Sequence, residues 1–271
     1  MVIHILGAGG MLGQALIKAC EAKGQPCIGW GHHVVDISDP IQVAGLVTRT
    51  MFPNDVIINA AGAIPLKNPS AIEMLRTNAL GPWNVAEATR QVGGIAVVHV
   101  STDCVFAGRK PRKSGYDAGD VPRPPMDLYG RSKLAGEVAM EHVINVRTSF
   151  VGPEHGLWKH IVEQPGRVNG WRDTSWSGST VDAVAASLLI IATIPNRLGC
   201  HRPERLGLHR RGNIEHLATE RPLTKLEVCE LLCKHLGGPP PTPGVHGAGV
   251  YRAMEPTIVL PSLAEALGEP L

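Results

Sequence analysis

VIHILGAGGMLGQALIKACEA, residues 2–22, decides the fold. Residues 2–6 are a short apolar run with β-branched side chains, the pattern of a strand buried on both faces. From Met11 to Ala22 apolar residues return at helical spacing, and Gly7, Gly10 and Gly13 lie at the junction. A buried strand that passes through a glycine loop into a helix is the opening of a βαβ unit.

The pattern repeats outward. PCIGW (26–30) reads as a second strand, and DPIQVAGLVTRT (39–50) as a helix with Asp39 as N-cap and Pro40 in its first turn. DVIINAA (55–61) is a third strand, followed by a long helical stretch from Ser70 to Gly93. GIAVVHVST (94–102) and VINVRTSF (143–150) are further strands, with the helix LYGRSKLAGE (128–137) between them. Apolar strands alternating with helices predict an α/β fold, a doubly wound parallel sheet covered on both faces. Beyond Phe150 the pattern loosens. VDAVAASLLIIATI (181–194), Thr224–Leu236 and PSLAEALG (261–268) read as helices, and GGPPPTPG (237–244) as a proline-rich connection. Residues 1–152 are expected to form the nucleotide-binding domain. Residues 153–271 are expected to be mainly a smaller α/β substrate lobe, with some segments returning to the first domain.

Bulk properties narrow the class. The chain has 271 residues, 44% apolar and 18% charged, with a net charge of +2, ordinary values for a globular protein. That charge gives no reason to invoke nucleic acid or an anionic membrane. No apolar run approaches the roughly 20 residues that span a bilayer. The amino terminus lacks a basic stretch before its apolar run, so a cytoplasmic location is the expectation. Six cysteines are scattered without a Cys-x-x-Cys pair. Cys229 and Cys233 share an apolar helix face, so reduced core thiols are expected in place of a zinc cluster with Cys200, His201, His209 and His235.

The glycine loop has the spacing G-x-x-G-x-x-G and follows the first strand. Such a loop permits a tight turn, close approach of backbone to a pyrophosphate, and amide groups at a helix start facing the phosphates. An adenosine ribose should meet the residue about 20 positions further on. Gly31, His32 and His33 stand there, with no carboxylate to repel a 2′-phosphate, so NADP is the expected cofactor and NAD the alternative. Asp36 and Ile37 are placed to border the adenine.

NAAG (59–62), STD (101–103) and the 128–137 helix should converge at the carboxyl end of the sheet. Tyr129 and Lys133, four residues apart, share a helix face. A hydroxyl at Ser101 or Thr102 is placed to hold a carbonyl oxygen beside the phenol. Free tyrosine has a pKa near ~10, and a neighbouring ammonium is expected to lower it toward neutrality. The phenol would then give a proton to a carbonyl as hydride arrives.

GAGGMLG, NAAG, RTNALG, STDCVF, YGRSK with LAGE, and RTSFVGP together resemble the extended short-chain dehydrogenase/reductase family. They are most similar to its dTDP-4-dehydrorhamnose reductase branch, over residues 2–155. The resemblance implies a Rossmann-type fold and Thr102, Tyr129 and Lys133 as catalytic residues. It implies cofactor contacts from Gly7, Gly10, Met11, Leu12, Gly13, His32, Asp36, Ile37, Asn59, Ala60, Ala61, Gly62 and Asn78, together with Tyr129 and Lys133. Substrate contacts fall on Ile64, Ser101, Thr102, Asp103, Cys104, Tyr129 and Phe150, with no metal. The implied reaction is reduction of a nucleotide-linked 4-keto-6-deoxy sugar by NAD(P)H, in a protein that by analogy forms a homodimer.

Cys104 and Phe150 depart from the branch, which carries an aromatic and a tryptophan there. GDP-fucose synthases, which epimerise at C3 and C5 before reducing C4, place a cysteine where Cys104 stands. That alternative needs a histidine partner such as His155 or His160. Dehydration is disfavoured because Cys104 follows Asp103 where dehydratases carry a glutamate. A further alternative, a regulatory subunit that binds NADP without turnover, has no need of all three catalytic groups.

Overall fold

The computed structural model describes residues 1–108, 115–122, 127–164, 166, 168–194, 213–244 and 249–269. In chain order the first half runs β1 (Ile3–Leu6), α1 (Met11–Ala22), β2 (Cys27–Trp30), α2 (Pro40–Thr50) and β3 (Val56–Asn59). It continues with α3 (Ala71–Leu75), α4 (Gly81–Val92), β4 (Ala96–Thr102), α5 (Leu128–Ala135) and β5 (Val143–Thr148). The second half adds β6 (Phe150–Val151), α6 (Gly156–Glu163), β7 (Asn169–Trp171), β8 (Ser179–Thr180) and α7 (Val181–Thr193). It closes with β9 (Ile214–Ala218), α8 (Lys225–His235), β10 (Thr242–Gly244), β11 (Ile258–Val259) and α9 (Leu263–Leu267).

Seven strands form one sheet in the order β11-β9-β5-β4-β3-β1-β2, all parallel. The chain reverses its direction of progress between β1 and β3, and the gap above that switch is where open α/β sheets hold ligands. Side chains alternate between two faces, as the period of a strand requires. Ile3, Ile5, Val56, Ile58, Val98 and Val100 pack under α1 and α7. Ile57, Val97 and Val143 pack with Val43, Val47, Val85 and Ala86 of α2 and α4. Both faces are covered, as the continuous apolar strands predict.

Asp39 caps α2 by accepting from the Ile41 and Gln42 amides, with Pro40 behind it. The long stretch from Ser70 is not one regular helix: between α3 and α4, residues Arg76–Leu80 form a wide π-turn. The strand expected through Phe150 leaves the main sheet after Thr148, and Phe150–Val151 pairs with β8 instead. The end of GGPPPTPG is also extended, because β10 pairs with β7.

Carboxy-terminal segments divide between two places. α7, β9 and β11 join the main sheet and its core. α6, α8 and α9 build a separate core around Ile161, Val228, Cys229, Leu232, Cys233 and Leu263. Cys229 and Cys233 are buried there as free thiols. Cys200, His201 and His209 lie outside the described residues. Among the described residues, no helix is long and apolar enough to cross a membrane.

Candidate active site

Two glycines explain the loop that opens the site. Gly7 has φ +79, and a Cβ there would lie 2.7 Å from the backbone of Ala61. A Cβ on Gly13 would overlap the Gly7 carbonyl oxygen and meet Ala8 Cα at 2.7 Å. So the loop lies tight against the segment after β3 and α1 starts tight against the loop, with Gly10 as an N-cap that offers no side chain to its amides. Those amide groups are a ready anion site.

Gly10, Met11 and Leu12 form one wall of a cleft of about 330 Å³. Ala60, Ala61, Gly62 and Ile64 form another, and Ser101, Thr102, Asp103, Cys104, Tyr129, Lys133 and Phe150 close it. Residues from three strand ends and α5 therefore meet over the β1/β3 switch. A larger groove, about 780 Å³, lies between α8 and α9. Its Arg221 and Glu227 are paired with each other, so the convergent chemistry is in the smaller cleft.

Other expected residues sit behind or beyond the walls. Asn59 accepts from the Ala61 amide (3.2 Å) and meets His99 Nδ1 (3.3 Å). Asn78 accepts from the Ala63 amide and donates to the Ala63 carbonyl, both at 2.8 Å, and to Ser132 Oγ at 3.1 Å. Both asparagines hold the NAAG segment against its neighbours. His32 and His33 are exposed in the turn after β2. Asp36 accepts from the Ser38 amide at 2.9 Å, and Ile37 is buried in the core beside Gly81.

Asp127 caps α5 by accepting from the Gly130 amide at 2.7 Å, which sets the helix that carries Tyr129 and Lys133. Lys133 is buried and donates from Nζ to the Val100 carbonyl at 2.7 Å. Burial pulls its pKa down to about 8, against the charge of Glu137, which raises it. The Tyr129 phenol, within hydrogen-bonding reach of the Thr102 hydroxyl, is pushed up, first by burial and then by its neighbours Cys104, Asp103 and Asp127. This corrects the expectation that Lys133 draws the phenol toward neutrality. Burial wins, and the phenol keeps its proton.

The two hydroxyls on β4 differ. Ser101 Oγ donates to Glu137 Oε1 at 2.8 Å, so its single proton is taken. Thr102 Oγ1 donates to Asp103 Oδ1 (3.1 Å) and accepts from the Cys104 amide (3.2 Å), which leaves a lone pair for the phenol. Cys104 Sγ accepts from Arg252 Nη1 at 3.1 Å. Burial pushes its thiol up to about 12, with Asp103 adding to the rise and Arg252 opposing it. Of the two candidate histidines, His155 lines the cleft and His160 is exposed on α6.

Sequence reasoning missed Arg252, Ser149 and Lys67. Ser149 and Lys67 line the cleft; Ser149 sits inside RTSFVGP, where attention fell on Phe150, and Lys67 belongs to no motif. Arg252 is far along the chain from Cys104, and no local spacing announces it.

The buried lysine has a pH signature. Its pKa is 10.5 unfolded and about 8 folded, so between those values the unfolded chain binds more protons and stability rises with pH. Below pH 8 the burial cost is fully present, and above 10.5 it is gone. Lys133→Met should therefore gain stability over the parent below pH 8, a difference that shrinks steadily toward pH 10.5. Urea unfolding of both proteins at stepped pH reads it, and a constant difference would mean that burial does not lower the Lys133 pKa.

The chain is similar to several known proteins. A family model described as the RmlD substrate binding domain matches residues 1–160. The dTDP-4-dehydrorhamnose reductase of Mycolicibacterium smegmatis is 36% identical over 140 residues, 51% of this chain and 41% of that protein. That of Mycobacterium tuberculosis is 31% identical over 204 residues, 69% of this chain and 64% of that protein. The chain thus spans less than two thirds of these relatives' length. Among solved structures, the dTDP-4-dehydrorhamnose reductase of Bacillus anthracis in complex with NADP superposes with a TM-score of 0.78. It is 22% identical and covers 98% of this chain and 95% of its own, so it speaks for a shared fold.

Proposed function

The chain belongs to the RmlD substrate binding domain family, and from that premise we propose that it reduces the 4-keto group of a nucleotide-linked 6-deoxy sugar, with NADPH as hydride donor. One observation carries this reading: Thr102, Tyr129 and Lys133 line the same cleft as the glycine-loop wall Gly10–Leu12.

The residues fit a dinucleotide. A Cβ at Gly7 or Gly13 would fill the space that keeps the loop tight, and the uncapped start of α1 suits a pyrophosphate. Ala60, Ala61 and Gly62 offer a flat wall. The turn at His32 carries no acid on the exposed side, which suits a 2′-phosphate, and the Bacillus anthracis relative is in complex with NADP. When bound, the nicotinamide supplies hydride to C4.

The chain's own groups do the rest. Tyr129, held protonated by burial, gives its proton to the C4 oxygen as charge develops there. Thr102 steadies the phenol with its free lone pair. Lys133 stays cationic below about pH 8 and offers its remaining N–H groups to the cofactor ribose. Cys104 shapes the pocket without exchanging protons, because a thiol raised to about 12 is a poor base near neutrality.

The test is a panel of dTDP-, UDP- and GDP-linked 4-keto-6-deoxy sugars, run in D₂O with NADPH or NADH and followed by loss of reduced-nicotinamide absorbance. At least one nucleotide sugar should be reduced, NADPH should serve at least as well as NADH, and C3 and C5 of the product should be free of deuterium. No oxidation with any sugar would remove the reductase reading. Deuterium at C3 or C5, abolished by Cys104→Ser, would instead make Cys104 an epimerising group, with His155, which lines the cleft, as the candidate partner to test next.

A further inference from the structure

The segment around Arg252 is stitched into the molecule on both sides. Arg252 N donates to the Ser175 carbonyl (3.0 Å) and Ser175 N to the Val250 carbonyl (3.1 Å). Tyr251 N donates to Gly108 (2.8 Å), Tyr116 N to Ala253 (2.8 Å) and Glu255 N to Tyr116 (2.7 Å). A rigid strap therefore delivers one guanidinium beneath the cleft. Arg252 Nη1 donates to Cys104 Sγ at 3.1 Å, and Nη2 lies 3.9 Å from Asp127 Oδ2, the cap of α5. Its charge also bears on Asp103, and its Nε is buried without a hydrogen-bond partner.

We infer that Arg252 is a positioning residue for the reduction proposed above: it meets Cys104 and faces the α5 cap Asp127, its charge favours the carboxylate at Asp103, and through Asp103 and Thr102 it orients the Tyr129 phenol. The inference rests on that reading of the site. The chain of contacts has a direction. A carboxylate at Asp103 only accepts, so it takes the Thr102 proton. Thr102 then faces Tyr129 as an acceptor, and the phenol proton is aimed by a fixed oxygen. A neutral Asp103 would donate, and Thr102 could turn its proton toward the phenol.

Asp103 is buried, and burial raises its carboxyl. Arg252 is the opposing charge, helped by hydrogen bonds from Thr102, Cys104 and Ser149. Cys104 and Tyr129 are the titratable neighbours, and both hold their protons at neutral pH. Without Arg252, the Asp103 carboxyl moves toward neutrality, and activity should recover as rising pH ionises it.

The experiment compares the intact protein with Arg252→Gln and Arg252→Lys in steady-state reduction of the sugar from the panel, from mildly acidic to mildly alkaline pH. Misplacing a catalytic group costs about 10²-fold, so Arg252→Gln should lose about that in kcat at neutral pH and regain part of it on the alkaline side. Arg252→Lys should keep the parental pH profile, and both should bind NADPH as the parent does. A parental kcat and profile in Arg252→Gln would overturn the inference, as would a rise in KM alone, which would make Arg252 a substrate contact. If Arg252→Gln fails to fold, Asp103→Asn replaces it: kcat should fall with no recovery at any pH, and parental activity would overturn the inference. Should the parent reduce no sugar, the proposed function fails by itself. Iodoacetamide labelling of Cys104 then still tests the contact, with slower labelling expected in Arg252→Gln than in the parent at one pH. Equal rates would overturn it.

Discussion

Tyr129→Phe is expected to lower turnover about 10²- to 10⁴-fold, the scale of a lost general acid, while leaving NADPH affinity close to the parent's. The ring still fills its place on α5 beside Cys104 and Thr102, so packing is preserved. Only the hydroxyl that meets Thr102 is removed. Burial raises the phenol, so the group is protonated throughout the working range and acts as a donor without waiting for pH. Turnover in the phenylalanine variant within a few-fold of the parent would assign the proton to another group. NADPH titration by fluorescence separates that outcome from a loss of cofactor binding.

Glu137→Leu is expected to cost stability. Its carboxylate receives Arg147 Nε and Nη2, both at 2.8 Å, and the Ser101 hydroxyl. The side chains are 7% and 1% exposed, so Arg147 has no water to turn to when its partner is removed. Breaking such a buried pair costs about 3–5 kcal/mol. The double variant Glu137→Leu with Arg147→Met should lose far less, because both charges leave together. Urea unfolding of the two variants checks this. A single variant within about 1 kcal/mol of the parent would mean that Arg147 finds compensation elsewhere, with His216 Nε2 at 3.4 Å and the Phe106 ring as its remaining neighbours.

Much of this fold was legible because periodicity and glycine placement are local. Strand β1, the loop and α1 follow from 21 residues read in order. Asp39 with Pro40 announced α2 for a reason that holds in any chain. The cleft was legible where its walls are strand ends, since Ala60–Gly62 and Ser101–Cys104 sit at fixed positions on neighbouring parallel strands. What escaped was long-range. Ser101 and Thr102 are adjacent hydroxyls in the sequence, yet alternate pleat directions give one to Glu137 and the other to Asp103. The pull expected from Lys133 on Tyr129 failed because spacing shows who is near, and burial decides which charge state is favoured. Arg252 could be seen only after the strap was in place.

The π-turn at Arg76–Leu80 has a heritable consequence. It carries about one residue more than a regular helix would over the same rise, and Asn78 is delivered by that extra width to Ala63 and Ser132. A Cβ at Gly136, at the end of α5, would overlap the Asn78 carbonyl. Deleting that one residue would restore a regular helix and keep Val85, Ala86 and Ala88 of α4 on the face they share with α2, but it would withdraw Asn78 from Ala63 and Ser132. A neighbouring surface loop absorbs insertions and deletions with little consequence. In this segment the cost of losing one residue would fall on the NAAG wall that Asn78 braces, while α4 behind it kept its packing.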